Sequence, residues 1–591
     1  MAYSRNGGVI MKRMFKIIVV VFISLTLFGC SNSIEPIKSA EFSEFVEGLP
    51  ARLAGTNGFN LNYIFNNPSA FGIEKEIGSI ASPTMEEYVQ SIVETKELLV
   101  ELEAFDYHTL TADQQLDYDI LSEYLERQLL LEGFENFNNH YLGSFLGIQA
   151  QLPVLLLEFQ LHDRQDLETY LHVLQTAPEV FRGYADNERV RQENGVGMSQ
   201  VLLDNVIQQC DTFASGEVTF LIDAMNQKID NADFLSAEEK LQAKSNNELF
   251  TNTQFRQAYV NLKEELETIV PDMEDGGIAQ QQNGKAYYEA LFQFHCGLDW
   301  TIEQLETYLD AKEEEYFNLV LQKVMVDPSL QTAMFEQSYG DFTSVEETID
   351  YLAQVYTEYF PEIENTQYRV VDVPKTMEDN FSPAAYLTSR IDRKAEEPLL
   401  ILINGGHENT DFTTIAHEGY PGHMYQNNYF QQLDVSTFRY LLDCNGYTEG
   451  WATYIEGKVH WFTKEDNAEI LEVFQAYQKI SHAIMAKWDI QINYYGISRD
   501  EFKINLAEMY GEGVFSDKDA DAQYNIILEN PTNYLMYFVN GFYFTDLYDG
   551  AKDAIGEDFD PISFHQVLLD IGPVGMPLLT KQVEAYIKDN S

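Results

Sequence analysis

Asp411-Phe412-Thr413-Thr414-Ile415-Ala416-His417-Glu418-Gly419-Tyr420-Pro421-Gly422-His423 joins a capping aspartate, a short apolar helix face and a His-Glu pair followed by a break. Asp411 is placed to cap a helix whose second turn carries His417 and Glu418. In the zinc pattern HExxH, two histidines at i and i+4 share a helical face and the intervening glutamate activates water. Here the second histidine, His423, follows His417 by six residues. On an ideal helix that spacing turns the two imidazoles about 240° apart. Pro421 and Gly422 stand between them. Proline removes a helical hydrogen bond and glycine admits unusual dihedrals, so a distorted turn is required to bring His423 back toward His417.

Working outward, Pro398-Leu399-Leu400-Ile401-Leu402-Ile403-Asn404-Gly405-Gly406 is a partly β-branched apolar run closed by glycines, which predicts a strand just before the motif. Asn404, Gly405 and His407, just beyond it, are candidates to line a cleft. Downstream, Tyr447-Thr448-Glu449-Gly450-Trp451-Ala452 offers Glu449, 26 residues after His423, as a third ligand on a return helix. Catalytic zinc commonly uses two histidines, one carboxylate and a water. The expected chemistry is a zinc ion held by His417, His423 and Glu449, with Glu418 as general base. The other histidines, among them His108, His140, His162, His172, His295, His460, His482 and His565, are expected to be ordinary satisfied polar groups.

The remaining chain is read as mainly α. Met85, Tyr88, Val89 and Ile92 repeat at helical spacing, and 166–174 does likewise with Asp166 as the expected N-cap. Further helices are expected over 236–270, 301–325, 344–358, 470–490 and 562–588. The glycine-bearing segments 195–197 and 275–284 read as loops. No fixed-period repeat is visible, so a solenoid is not expected.

Composition bounds the partners. Of 591 residues, 45% are hydrophobic and 13% aromatic, ample for a large core. Lys and Arg total 37 against 95 Asp and Glu, for a net charge of −58. Such a surface disfavours nucleic acid, whose binding rests on phosphate neutralisation. The four cysteines, Cys30, Cys210, Cys296 and Cys444, form no CxxC pair, so neither a disulfide framework nor a cysteine zinc knuckle is indicated. Lys12, Arg13 and Lys16 precede an apolar run from Ile17 to Phe28, well short of the roughly 20 residues a spanning helix needs. That pattern is a secretory leader. Its end, Leu27-Phe28-Gly29-Cys30, resembles a bacterial lipobox, which implies a lipid on Cys30 and an extracytoplasmic, membrane-anchored protein. Residues 1–29 are thus expected to be a lipoprotein signal, 30–39 a tether, and 40–591 a helical body with the site in 398–456.

His417-Glu418-Gly419-Tyr420-Pro421-Gly422-His423 with Gln426, then Phe438-Arg439 and Glu449-Gly450-Trp451-Ala452, resemble the bacterial family called domain of unknown function 885. Leu152-Pro153, Gly284-Lys285-Ala286-Tyr287-Tyr288 and Gly572-Pro573-Val574-Gly575-Met576-Pro577-Leu578 extend the resemblance from about residue 40 to the end. The family is regarded as Glu-zincin-like metallopeptidases. The resemblance therefore implies a large bilobed helical body with a small β element beside the metal-site helix, similar to thimet oligopeptidase and carboxypeptidase Taq. It carries metal ligation onto His417, His423 and Glu449 and the general base onto Glu418. Where members often have a second histidine after the motif, this chain has Met424. The late family segment PGQxxxYxxG is matched here at Pro531 and Tyr537, while Thr532, Asn533 and Asn540 depart and the glycine comes one place late. Tyr537 is a candidate donor to a developing oxyanion; the alternative is a core tyrosine packed among Tyr534, Phe538 and Phe544.

The function expected is a zinc-dependent peptidase acting on short peptides outside the cytoplasm. The alternatives are a zinc hydrolase of another amide or ester, and a peptide-binding lipoprotein without catalysis. Glu418 separates the last of these, because a binder needs no carboxylate beside a metal-bound water. No G-x-S-x-G elbow favours a serine hydrolase.

Overall fold

The computed structural model describes residues 39–591 apart from 82–83, 139, 145–146, 272–276, 337–338, 365–366, 376–377, 379–380, 406–410 and 464–467. The leader, Cys30 and His407 lie outside the described residues. Most of the described chain is helical, as the 3.6-residue periodicity requires, and the helices divide between two apolar cores.

The first core gathers the buried faces of Ile148–Glu158, Arg164–Glu193, Gln200–Ser215, Thr219–Asn231 and Arg256–Leu266, centred on Tyr170, Phe181 and Tyr259. The second gathers Ser39–Ala54, Ala112–Gln128, Gly284–Cys296, Ile302–Val326, Ala468–Asp489, Asn540–Ile555 and Met576–Asn590 around Trp451, Tyr288 and Phe544. The body is thus mainly helical and bilobed. Among the described residues no helix is long and apolar enough to cross a membrane, and Cys210, Cys296 and Cys444 are buried free thiols.

Most expected helices are present, with three local differences. The helix predicted from Asp166 starts at Arg164 and is capped by Asp163, whose side chain accepts from the Asp166 N–H. Asp166 instead sits one turn in and returns the bond to the Asp163 N–H, completing a capping box. The stretch expected as 236–270 is a continuous helical run through a π turn at Thr251–Phe255. The last expected helix divides into Pro561–Asp570 and Met576–Asn590. Gly572 has φ +74° between them, a conformation only glycine takes freely.

A three-stranded sheet lies between the cores: β1 (Tyr368–Asp372), β2 (Ala384–Leu387) and β3 (Leu399–Ile403). The order is β1-β3-β2, with β1 parallel and β2 antiparallel to β3. Side chains alternate across a strand, and here the alternation assigns each residue to a lobe. Leu399, Ile401 and Ile403 join the second core, while Leu400 and Leu402 pack on the first. A strand covered on both faces needs an unbroken apolar run, which is why Leu-Leu-Ile-Leu-Ile carries no polar residue. The motif helix is the next described element after β3.

Ile401 is fully buried at the centre of that sheet. Ile401→Ala is expected to cost about 2–5 kcal/mol, seen as a lower denaturation midpoint. An unchanged midpoint would contradict the burial of β3 between two lobes.

Candidate metal centre

The motif folds as two helices joined by a tight reversal. Asp411 caps Phe412–Glu418 by accepting from the Thr414 N–H at 2.8 Å. Phe412, Ile415 and Ala416 bury against the second core and fix the helix, so His417 is presented from its last turn. The Gly419 N–H closes that turn on the Ile415 carbonyl, and the Gly422 N–H reaches back to the Ala416 carbonyl at 3.0 Å. The Tyr420–Pro421 peptide is cis. A second helix, His423–Gln431, starts at once. Instead of one kinked helix, the chain breaks completely, and the imidazoles that ideal geometry would turn apart meet with ring centroids 4.7 Å apart at 85°. Gly422 makes this possible. A Cβ there would lie 1.8 Å from the His417 carbonyl oxygen and 2.4 Å from that of Ala416.

The return helix, Asn445–Glu456, supplies two carboxylates to one place. Glu449 and Glu456 are seven residues apart, about two turns, and so share a face. Oε1 of Glu456 lies 2.7 Å from Nδ1 of His417. Oε2 of Glu449 lies 3.3 Å from Nε2 of His423 and 3.8 Å from Nε2 of His417. The ligand atoms of His417, His423 and Glu449 all fall within 4.8 Å of one another. Oε2 of Glu449 is buried with no hydrogen-bond partner. An orphaned buried carboxylate oxygen facing two imidazoles is costly unless something else is bound. Two nitrogens and one oxygen are also a donor set that suits a divalent transition metal. These residues could therefore hold a metal ion.

The neighbouring motif residues explain the closeness. Gly450 lets the return helix approach Asn540, where a Cβ would fall 2.4 Å from that residue's own Cβ. Trp451 is fully buried and donates from Nε1 to the Pro421 carbonyl at 2.9 Å, tying the return helix to the reversal.

Electrostatics set this site apart from the other histidines. Burial pushes His140, His295, His460 and His482 down to about 4 and His565 to about 3. Burial acts on His417 in the same sense, but the hydrogen bond and charge of Glu456, with Glu418 and Glu449, raise it to about 9. Burial would raise Glu449; the adjacent His423 and His417 outweigh it and hold the carboxyl below its ordinary value. Tyr537 is raised well above its ordinary value, first by burial and then by the charges of Glu449 and Glu418, so its hydroxyl stays protonated.

Tyr537 stands on a π turn, Leu535–Val539, with its ring parallel to His417 at 6.2 Å. Such turns recur at functional sites. Phe538 and Tyr534 stack on each other, Phe538 also on His482, while Tyr537 turns the other way. The Glu418 carboxylate is held by β2, its Oε2 accepting the Tyr386 N–H at 2.7 Å. Asn404 does not line a cleft: it is fully buried and donates to the carbonyls of Glu378 and Phe381. Sequence reasoning missed Glu456; the signal available was its seven-residue spacing from Glu449 on one helix.

Fold and donor group together define a helical protein with a candidate metal centre. Residues 68–583 match the bacterial protein family of unknown function DUF885, and the chain belongs to that family. No curated protein matches it. A crystal structure of a candidate lipoprotein from Colwellia psychrerythraea superposes with a TM-score of 0.74 at 17% identity, covering 93% of this chain and 99% of that one. A candidate lipoprotein of unknown function from Shewanella oneidensis gives 0.57 at 14%, covering 92% and 99%. At these identities the likeness is one of fold. A candidate oligoendopeptidase F from Bacillus anthracis reaches only 0.29 at 10%, covering 85% and 95%, too slight to bear on function.

Gly422→Ala forces apart the contacts that place both histidines. We expect a lower unfolding temperature and loss of any stabilisation by added Zn2+. A variant that keeps both would show that the reversal does not depend on glycine.

Proposed function

We propose that the chain is a zinc-dependent hydrolase that cleaves peptides outside the cytoplasm. The observation that carries this reading is the convergence of His417, His423 and Glu449 within 4.8 Å, with Glu418 next in sequence to the first of them. His417 would bind through Nε2, since Nδ1 is taken by Glu456, the usual arrangement by which a carboxylate fixes a ligand's tautomer. His423 would bind through Nε2 and Glu449 through Oε2. When bound, zinc supplies Lewis acidity toward a carbonyl and lowers the pKa of a water.

The chain's own groups do the rest. The Glu418 carboxylate takes up the water's proton and returns it to the leaving nitrogen. The Tyr537 hydroxyl, kept protonated, offers a hydrogen bond to the oxygen that gains charge. β2 reaches the site at Tyr386, whose N–H is held by Glu418, so an extended peptide would run beside this strand. A peptide fits this strand better than a compact ester, and a net charge of −58 argues against a nucleic-acid partner.

For location, we propose residues 1–29 as a lipoprotein signal, 30–39 as a tether, and a lipid on Cys30 as the anchor. The two structural relatives described as candidate lipoproteins support this reading. Mass spectrometry should find an acylated mature N-terminus at Cys30, and an unmodified N-terminus elsewhere would refute it.

Two variants test the chemistry. Glu418→Gln keeps shape but removes the base, so zinc content should stay near one per chain while turnover falls by about 10²–10⁴-fold. His423→Ala should lose both zinc and activity, because two ligands hold the ion poorly. Full turnover by Glu418→Gln would remove the peptidase assignment. Bound zinc in a wild-type chain that cleaves no peptide would favour the non-peptide hydrolase or the binding protein.

A further inference from the structure

In a chain this acidic, a cavity whose lining is net positive stands out. One cavity of 470 Å³, beside the N-terminal end of β3, is lined by Arg369, Arg390 and Arg393 against Glu158 and Glu397. Those carboxylates do not close on the guanidinium groups. Among the described residues Arg390 donates from Nε to the Asn62 carbonyl at 2.6 Å, and no ion pair forms at any of the three arginines. Arg393 donates to the carbonyls of Lys394 and Glu397 and to Oδ1 of Asn428, and its Nε is buried without a partner. Glu397 accepts from Asn66 Nδ2 at 2.8 Å, and the nearby Asp392 accepts the backbone N–H groups of Asn66 and Asn67. Glu397 and Asp392 are thus engaged by neutral donors, while guanidinium N–H groups remain for a guest. Lys228 is pushed down to about 8 by burial, with Glu158 opposing the effect and Arg390 and Arg369 adding to it.

The cavity is joined to the candidate metal centre by the segment just after β2. Tyr386 contacts Glu418 through its N–H and donates from its hydroxyl to Asn427 Oδ1 at 2.7 Å. Ser389 Oγ is 3.1 Å from Asn427 Oδ1 and 2.8 Å from Gln431 Oε1, and Gln431 Nε2 donates to the Ser389 carbonyl. His423, Asn427 and Gln431 stand at successive turns of one helix. The rise from first to last is about 12 Å, the length of roughly three to four residues of extended peptide.

We propose that this cavity binds the C-terminal carboxylate of a peptide substrate, about three to four residues beyond the cleaved bond, with Arg390 and Arg369 as its cationic partners. The proposal rests on the peptidase reading of the neighbouring site. Guanidinium groups match carboxylates in shape and can bind them through two parallel hydrogen bonds. It makes the protein selective for short peptides with free C-termini.

Binding is measured with the full chain carrying Glu418→Gln, by fluorescence anisotropy of an N-terminally labelled six-residue peptide. Three forms are compared: the free acid, its C-terminal amide, and the amide with glutamate as last residue. The free acid should bind roughly tenfold tighter than the amide. Adding Arg390→Met or Arg369→Gln should bring it to the amide's level and leave amide binding unchanged. Arg369 is exposed and Arg369→Gln should leave the unfolding midpoint unchanged, so the test survives if Arg390→Met fails to fold. Equal binding of acid and amide, or a preference that survives Arg369→Gln, overturns the proposal. Tight binding of the glutamate-ended amide would also overturn it, since the cavity would then accept any carboxylate. Cleavage by the wild-type chain is scored separately: no cleavage refutes the peptidase reading, while the acid-to-amide ratio still reports on the cavity.

Discussion

The reversal between Gly419 and His423 is the constraint on which the rest of the site depends. His423 follows His417 by six positions, a spacing that a continuous helix would spend turning them apart. Ending one helix at Glu418 and starting another at His423 cancels that rotation, and the backbone bond from the Gly422 N–H to the Ala416 carbonyl holds the two ends together. A break of this kind exposes helix termini, whose unpaired N–H and C=O groups must find partners. Gly419 and Gly422 place their N–H groups on carbonyls of the preceding helix, and Trp451 occupies the Pro421 carbonyl. The turn is therefore satisfied from inside and from the return helix at once.

That second attachment explains why the return helix can do two jobs. It must come near enough for Glu449 to face both imidazoles, and Gly446 and Gly450 open the opposite side to Asn540 so that it can. Asn540 then donates to the Cys296 carbonyl, fixing the helix from behind. With the helix held on both sides, Glu449 and Glu456 meet one histidine at its two nitrogens. One carboxylate orients the ring through Nδ1 and the other stands beside the free Nε2. The raised pKa of His417 is the electrostatic trace of the same arrangement.

Much of this was legible in the sequence, and the limits have physical reasons. The strand 399–403, the Asp411 cap and the four residues His417, Glu418, His423 and Glu449 were marked by local signals, which short-range physics controls. The manner of the break was not, because whether Pro421-Gly422 bends a helix or ends it depends on partners such as Trp451, 30 residues away. The strands β1 and β2 were missed for a related reason. Ala384–Leu387 is only four residues long and carries no alternation, and its strand character comes from pairing with β3. The position of Asn404 beside the motif suggests a cleft residue, whereas burial commits it to loop carbonyls. Asp166 shows the same difficulty at a helix end: both Asp163 and Asp166 are plausible caps in sequence, and only the reciprocal bonds distinguish them.

The sheet joins these features across the two lobes. Along β3, alternate residues belong to different cores, so a shift of one residue would send Ile401 to the wrong lobe and exchange every neighbour. The same register fixes Tyr386 opposite Ile401, and so fixes the N–H that Glu418 accepts. Four residues on, the segment tied to Asn427 and Gln431 delivers Arg390 to the cavity between sheet and first lobe. The placement of the Glu418 carboxylate and of the positive cavity therefore depends on one strand pairing. A protein with this arrangement does not need either lobe to move for the two features to be in register, because the sheet that positions them is buried by both.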